Sequence, residues 1–279
     1  MGRIEELRRN YHAHLCSDVI FTKDGDKPSM ADVSNKMSVE ISRNLIALLP
    51  YPISGDSIKG QTAGSRLEEL TKDFLQSAFE YIQHIRPGNW LFSVHQSIAD
   101  FDQYKHINDL DLILEANPQL KTILGDYVIA PDIIVARRPL SDDEININQI
   151  LVEGTDLSRY TPLRSSNGLS LILHASISCK WTLRSDRSQN TRTEGLNLMR
   201  NRKGHTPHIA VVTGEPTPSR IASIALGTGD IDCVYHFALP ELIQAVRETN
   251  QSDAIEMLDI MVNGRRLRDI SDLPFDLAI

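Results

Sequence analysis

The stretch from Ser178 to Glu194 gathers side chains that could act on a phosphodiester. Ser178-Cys179-Lys180 is followed within seven residues by Arg184-Ser185-Asp186-Arg187, and then by Glu194. Pro131-Asp132 lies upstream in an apolar run. Phosphodiester hydrolysis needs a divalent cation, held by carboxylates, that neutralises the phosphate and acidifies a bound water. It also needs a cationic group that positions and polarises the attacking water. Asp132, Lys180 and Glu194 have these chemistries. Few protein oxygens suffice, because Mg2+ keeps several of its waters. Arg184, Asp186 and Arg187 carry an independent signal. Arginine offers paired donors that match guanine O6 and N7, and aspartate accepts from cytosine N4. Together the two groups point to metal-dependent cutting of DNA, with base reading beside the cutting residues.

Taken singly, each residue has a plainer reading. Lys180 is a strand end whose ammonium reaches water, and Glu194 is a surface glutamate on a helix. Asp186 is a helix N-cap with exposed arginines around it. It is the combination that carries the chemical reading.

These residues must be positioned by several elements. In a strand over 171–182, side chains alternate between faces. His174, Ser176, Ser178 and Lys180 then share a face directed to a cleft or solvent, while Ala175, Ile177 and Cys179 face a core. Residues 126–137 are β-branched and apolar and predict another strand. Pro131 lacks an N–H, which predicts a sheet edge or a bulge there. Further strands are predicted over 207–213 and 231–237, with helices over 188–202 and 219–226 between them. Helices are also predicted over 2–15, 36–49 (capped by Ser34 or Asn35), 65–85, 99–115, 118–124, 239–249 and 252–262. Residues 22–35 and 139–168 are rich in turn formers and polar groups and predict loops. Helices first, then strands joined by helical crossovers, predict an α/β domain with a mixed central sheet flanked by helices. The whole chain, 1–279, is expected to be one domain. A helical part over about 1–125 precedes a catalytic core over about 126–250 and a helical C-terminal tail.

Composition bounds the alternatives. With 279 residues and 41% apolar content, the chain can fill a sizeable core. No apolar run is long enough to span a membrane, and the charged start of the chain is not a signal peptide. Cys16, Cys179 and Cys233 are odd in number and irregular in spacing. That argues against a disulfide framework or zinc site and fits a reducing cytoplasm. The net charge of −8 does not exclude a DNA partner, because residues 180–203 hold seven basic side chains against two acids. Phosphates respond to the local field.

The same residues carry a resemblance. His174–Thr182, Arg184–Arg187, Glu194–Leu198, Arg200–Gly204, Glu215–Arg220, Ile231–Leu239 and Asp269–Pro274 are similar to the NgoMIV family of type II restriction endonucleases, which read a central CCGG. The N-terminal half agrees more loosely, at Gln76–Glu80 and Gln83–Gly88. The resemblance implies a restriction-endonuclease-like fold that cuts double-stranded DNA at a site with central CCGG, GCCGGC if both outer contacts hold and open at the flanking pair if only the central triad does, after the first G, leaving 5′ CCGG overhangs. It implies Asp132 as the metal-bridging acid, Lys180 as the active-site lysine, and Ser178 where most nucleases of this fold carry a second acid. Glu194 on the helix replaces that acid, reaching the metal directly or through water. The main-chain carbonyl of Cys179 is implied as a further metal ligand, and Glu68 as another active-site acid. Two Mg2+ ions per site are implied. For base reading, Arg184, Asp186 and Arg187 match the CCGG readers, Arg220 and Asp32 the outer G·C pair, and Gln61 a minor-groove contact. A homotetramer of two dimers and a bacterial cytoplasmic location are also implied. The rivals are a repair or structure-specific nuclease of the same fold, which would not need Arg184–Arg187, and a non-catalytic DNA-binding protein, which would tolerate loss of Lys180 and Glu194.

Overall fold

The structure is a computed structural model. It describes residues 1–279 except 24–26, 55–59, 125–128, 155 and 228, and except the side chains of 60, 61, 111, 121, 123, 124, 185 and 186. In chain order the elements begin with α1 (Arg3–Asp18), β1 (Thr22–Lys23), β2 (Lys27–Pro28), α2 (Lys36–Leu48), α3 (Gly60–Tyr81) and β3 (Trp90–Val94). Then come α4 (Lys105–Glu115), α5 (Pro118–Leu124), β4 (Ile133–Arg137), α6 (Asp142–Ile145) and β5 (Ile172–Lys180). The chain continues through α7 (Ser185–Asn201), β6 (His208–Thr213), α8 (Pro218–Ala225), β7 (Cys233–His236), α9 (Leu239–Glu248), α10 (Ser252–Asn263), β8 (Leu267–Asp269) and α11 (Leu273–Asp276).

Six strands form the central sheet in the order β3-β4-β5-β6-β7-β8. β3, β4 and β5 pair antiparallel, and β5, β6, β7 and β8 pair parallel. Each parallel step needs a crossover. α7 supplies the one from β5 to β6, and α8 the one from β6 to β7. This mixed sheet with flanking helices is the α/β architecture the sequence predicts.

The outer strands arise from segments read as helical. β3 falls within the N-terminal part, and β8 within the C-terminal tail. Both are short, with apolar runs too brief for period alone to identify. β3 follows the Pro87-Gly88 turn, a signal that was present. The helix predicted over 99–115 is instead a 3-10 turn at Ile98–Asp100 followed by α4. The 22–35 loop contains the small β1–β2 hairpin. Asn35, not Ser34, caps α2: its Oδ1 accepts from the N–H groups of Met37 and Ser38.

Two local expectations are corrected. β4 is not an edge, because it pairs with β3 on one side and β5 on the other. Pro131 sits just before it, where no ladder donor is required, and the irregularity falls instead between Val135 and Ala136. The polar face of β5 is not open either. His174, Ser176 and Ser178 are only 4%, 6% and 9% exposed. β5 is a central strand, so both its faces are covered. The His174 ring packs against Trp90, and its Nε2 bonds the Leu277 carbonyl at 2.6 Å. Only Lys180, at the strand end, is partly open.

This topology gathers the termini that matter. β5, β6 and β7 run parallel, so Lys180, Thr213 and His236 lie at one end of the sheet. β4 is antiparallel to β5 and starts at that end, beside Asp132, and β3 finishes there. α7 and α8 begin there too. The carboxyl ends of parallel strands are where open α/β sheets hold their ligands.

Candidate active site and base-reading cleft

Asp132 precedes the first residue of β4, and its Oδ2 is held from β5. It accepts from the Cys179 N–H at 2.7 Å and from Lys180 Nζ at 2.7 Å, with Ser178 Oγ farther off at 3.4 Å. Lys180 owes its place to the last register position of β5, opposite Thr213. Burial opposes its charge, but the Asp132 carboxylate and Glu194 outweigh that, and its pKa is raised. It stays an ammonium.

Glu194 comes from the third turn of α7 and lies close enough to Lys180 and Asp132 to feel both. Burial raises its pKa; Lys180 pulls it down and Asp132 pushes it up. Glu68 comes from α3, which starts earlier than predicted and so carries Gln61 two turns before Glu68. The Gln61 side chain lies outside the described residues. Burial and the Asp132 charge raise the Glu68 pKa, against His95 and Lys180. Glu68 and Glu194 thus each lie within electrostatic reach of both Asp132 and Lys180.

His95 was missed in the sequence. It follows β3, its backbone is left-handed at φ 53°, and its N–H donates to the Asp132 carbonyl at 3.3 Å. Its Nε2 lies 2.9 Å from Glu68 Oε2, an ion-pair distance. The alignment does not make a hydrogen bond, so Glu68 Oε2 is buried without one. A lone histidine beyond a short edge strand leaves no pattern to find.

The donor set fits a divalent cation. Two acids have raised pKa values in part because they face a third negative charge, a repulsion that a cation relieves. Glu68 Oε2 is a buried acceptor that meets only the His95 ring, at 2.9 Å and without hydrogen-bond alignment. Continuing the β4–β5 register sets Cys179 opposite Pro131, which has no N–H to offer the Cys179 carbonyl. No cluster of three or more His, Cys, Asp or Glu side chains with metal-site geometry occurs among the described residues. Hard cations that keep their waters need fewer side chains than that, and a carbonyl adds to them.

Beyond Lys180 the chain turns into α7. Arg184 sits at the N-cap without a side-chain cap bond, and Asp186 falls in the first turn rather than at the cap. The Asp186 side chain lies outside the described residues. Arg187 is exposed and donates to the carbonyl and hydroxyl of Thr182 at 3.3 and 3.2 Å. Arg184 borders a cleft of about 600 Å³ with Asp32, Ser34, Ser188 and Arg220. Across 188 positions of sequence, Arg220 Nη2 donates to Asp32 Oδ2. Ser34 donates twice to Asp32 Oδ1, and these bonds with Arg220 hold the Asp32 carboxyl at about 2. The structure thus places Arg184, Arg220 and Asp32 around one opening.

The sequence model of the NgoMIV restriction enzyme family matches residues 11–279. The type II restriction enzyme NgoMIV of Neisseria gonorrhoeae is 52% identical over 281 residues, covering 98% of this chain and 97% of that protein. Among solved structures, the restriction endonuclease PspGI in complex with substrate DNA aligns over 99% of this chain and 92% of its own. Its TM-score is 0.31 and its identity 14%.

Proposed function

The chain belongs to the NgoMIV restriction enzyme family and is a type II restriction endonuclease; from that premise we propose that it hydrolyses double-stranded DNA at GCCGGC, with Mg2+, after the first G. The products then carry 5′ CCGG overhangs. The observation that carries this reading is the meeting, at one end of the sheet, of the Asp132–Lys180 pair with the cleft bordered by Arg184, Arg220 and Asp32.

Asp132, the Cys179 carbonyl and Glu194, directly or through water, are the groups that would hold Mg2+, two ions per site. Bound there, the ions supply charge neutralisation at the phosphate and a more acidic water. Lys180 keeps its proton, orients the attacking water and faces the charge that grows on the phosphate oxygens. Glu68, whose pKa burial and the Asp132 charge raise, would face a hydrated cation beside Asp132. Ser178 is within reach of Asp132 but at 3.4 Å adds little. Arg184 and Arg187 read guanines of CCGG and Asp186 a cytosine. Arg220 and Asp32 read the outer pair as donor and acceptor, and Gln61 contacts the minor groove.

A palindromic site favours a two-fold assembly, and we take that assembly to be a tetramer of two dimers. The support is the 139–168 segment. It is ordered by Arg164, which is 2% exposed and clamps Asp142 through Nε and Nη2. Yet it presents Ile147, Ile150, Leu151, Leu157 and Tyr160, each between 62% and 89% exposed. Apolar surface of that kind marks an interface, here with a second copy of this chain.

Digestion of a plasmid of known sequence with Mg2+, followed by end mapping, tests the reading. Ends at GCCGGC with CCGG overhangs are expected. Ends at any other hexamer overturn the outer-pair assignment, and ends outside CCGG overturn base reading altogether.

A further inference from the structure

We infer that Glu215 is a specificity-positioning residue, whose buried carboxylate ties the strand end bearing Lys180 to both base-reading arms and sets them in register. The inference rests on base reading by Arg184, Arg187 and Arg220 as proposed above. Glu215 follows β6 and is fully buried, at 0% exposure. Its Oε2 accepts from the Leu183 N–H at 2.8 Å, one residue before Arg184. Its Oε1 accepts from the Thr217 N–H at 3.1 Å, at the start of the helix that carries Arg220. The Arg220 Nη1 stands 3.9 Å from Oε2, while Nη2 of the same guanidinium holds Asp32. The Glu215 N–H donates to Thr213 Oγ1 at 3.1 Å, and that hydroxyl donates to the Lys180 carbonyl at 2.7 Å. A continuous set of hydrogen bonds therefore runs from Lys180 through Thr213 and Glu215 to the entrances of α7 and α8.

The chemistry explains why an acid stands there. Neither α7 nor α8 has a side-chain cap of its own. One carboxylate supplies acceptors to the backbone just before α7 and at the cap of α8, and its charge favours both helix N-termini. A buried acid is costly unless its oxygens are used. Here both oxygens are used, each by a different arm. Moving either arm breaks a bond at the shared carboxylate, so the arms cannot shift independently of each other or of Lys180. A residue that merely filled the core would affect all DNA sequences alike. A positioning residue changes the ratio between right and wrong sequences.

Glu215→Gln keeps the shape but leaves only one oxygen to accept, so one arm loses its anchor. The full-length variant is compared with wild type and Arg220→Ala by competition binding in Ca2+. The competitors are the GCCGGC duplex, a duplex changed at the outer pair and one changed within CCGG. Discrimination at the outer pair or within CCGG, according to which arm loses its anchor, is expected to fall about tenfold in Glu215→Gln, with binding to unrelated DNA unchanged. Full discrimination in Glu215→Gln, alongside its loss in Arg220→Ala, overturns the inference and leaves base reading standing. Full discrimination in Arg220→Ala overturns the base-reading assignment and this inference with it. If Glu215→Gln does not fold, Thr213→Val removes the hydroxyl that joins Glu215 to Lys180 and carries the same comparison. The same fall supports the inference, and an unchanged ratio overturns it.

Discussion

Asp132 and Lys180 pair at 2.7 Å, and the proposed mechanism gives each a different task. In the proposed mechanism the carboxylate would face the cation and the ammonium the phosphate, so losing either would remove charge that the transition state needs. Asp132→Ala and Lys180→Ala are each expected to lower the cutting rate by at least about 100-fold. Specific binding in Ca2+ should remain measurable. Gel-shift and single-turnover assays on one preparation check this, and near-wild-type cutting by either variant removes that residue from the mechanism. The arginines are expected to act on base discrimination instead. Arg184→Ala and Arg187→Ala should each cost about 1–3 kcal/mol of discrimination within CCGG. Competition with single-base variants reads that loss, and unchanged discrimination in both would sink the central-readout assignment.

The crossover α7 carries Glu194 and follows its N-cap Arg184, so on the proposed reading its seating bears on both catalysis and base reading. Gly195 lets it sit close: a Cβ there would lie 2.6 Å from the Asp230 carbonyl oxygen. Gly195→Ala gains about 1 kcal/mol of helix propensity but meets backbone that cannot yield cheaply, at a cost of about 1–3 kcal/mol. The clash is expected to win. A lowered melting temperature together with slowed cutting is the expected result, and a more stable, fully active variant would show that α7 has room to move. In the 139–168 segment, Arg164 also accepts no substitute of shorter reach, since it bonds the Gly154 and Leu157 carbonyls besides Asp142. Arg164→Ala should loosen that segment and shift assembly toward dimers. Light scattering checks this, and an intact tetramer would move the contact elsewhere.

As an assembled molecule, the enzyme is expected to scatter light as four times the 31.3 kDa chain and to cut two-site plasmids faster than one-site plasmids. A stable dimer at micromolar concentration without a two-site preference rules the tetramer out and leaves catalysis untouched. The fold also has an acid weakness. Burial lowers the His174 and His236 pKa values to about 4. Unfolded, these rings take a proton below about 6.5. Between those values the unfolded chain binds more protons, so stability present at neutral pH falls as pH drops through the window. Each histidine is expected to cost roughly 1–2 kcal/mol between pH 7 and about 5. Glu68, Glu194 and Glu215, raised by burial, work in the opposite direction. His174→Gln should therefore flatten the fall of the urea midpoint with acidification, and an unchanged slope removes His174 from this account.

The sequence by itself determined the chemistry on offer and the central strands and crossovers. Lys180 at the end of an alternating strand, the arginines at a helix entrance, and the β-branched runs are local signals, set by periods of a few residues. The family followed from the same residues, and with it the choice of a restriction enzyme over a repair nuclease or a passive DNA binder. Tertiary structure decided what lies together across long separations. Asp32 meets Arg220, Glu68 meets His95, and Glu215 reaches both Leu183 and Thr217 only after the sheet closes in its observed order. It also decided that the serines and histidine of β5 are buried, because a strand cannot tell from its own pattern whether a neighbour will cover its polar face. Short outer strands such as β3 and β8 could not be placed from period alone for a related reason. Their identity comes from pairing with β4 and β7, not from any period of their own.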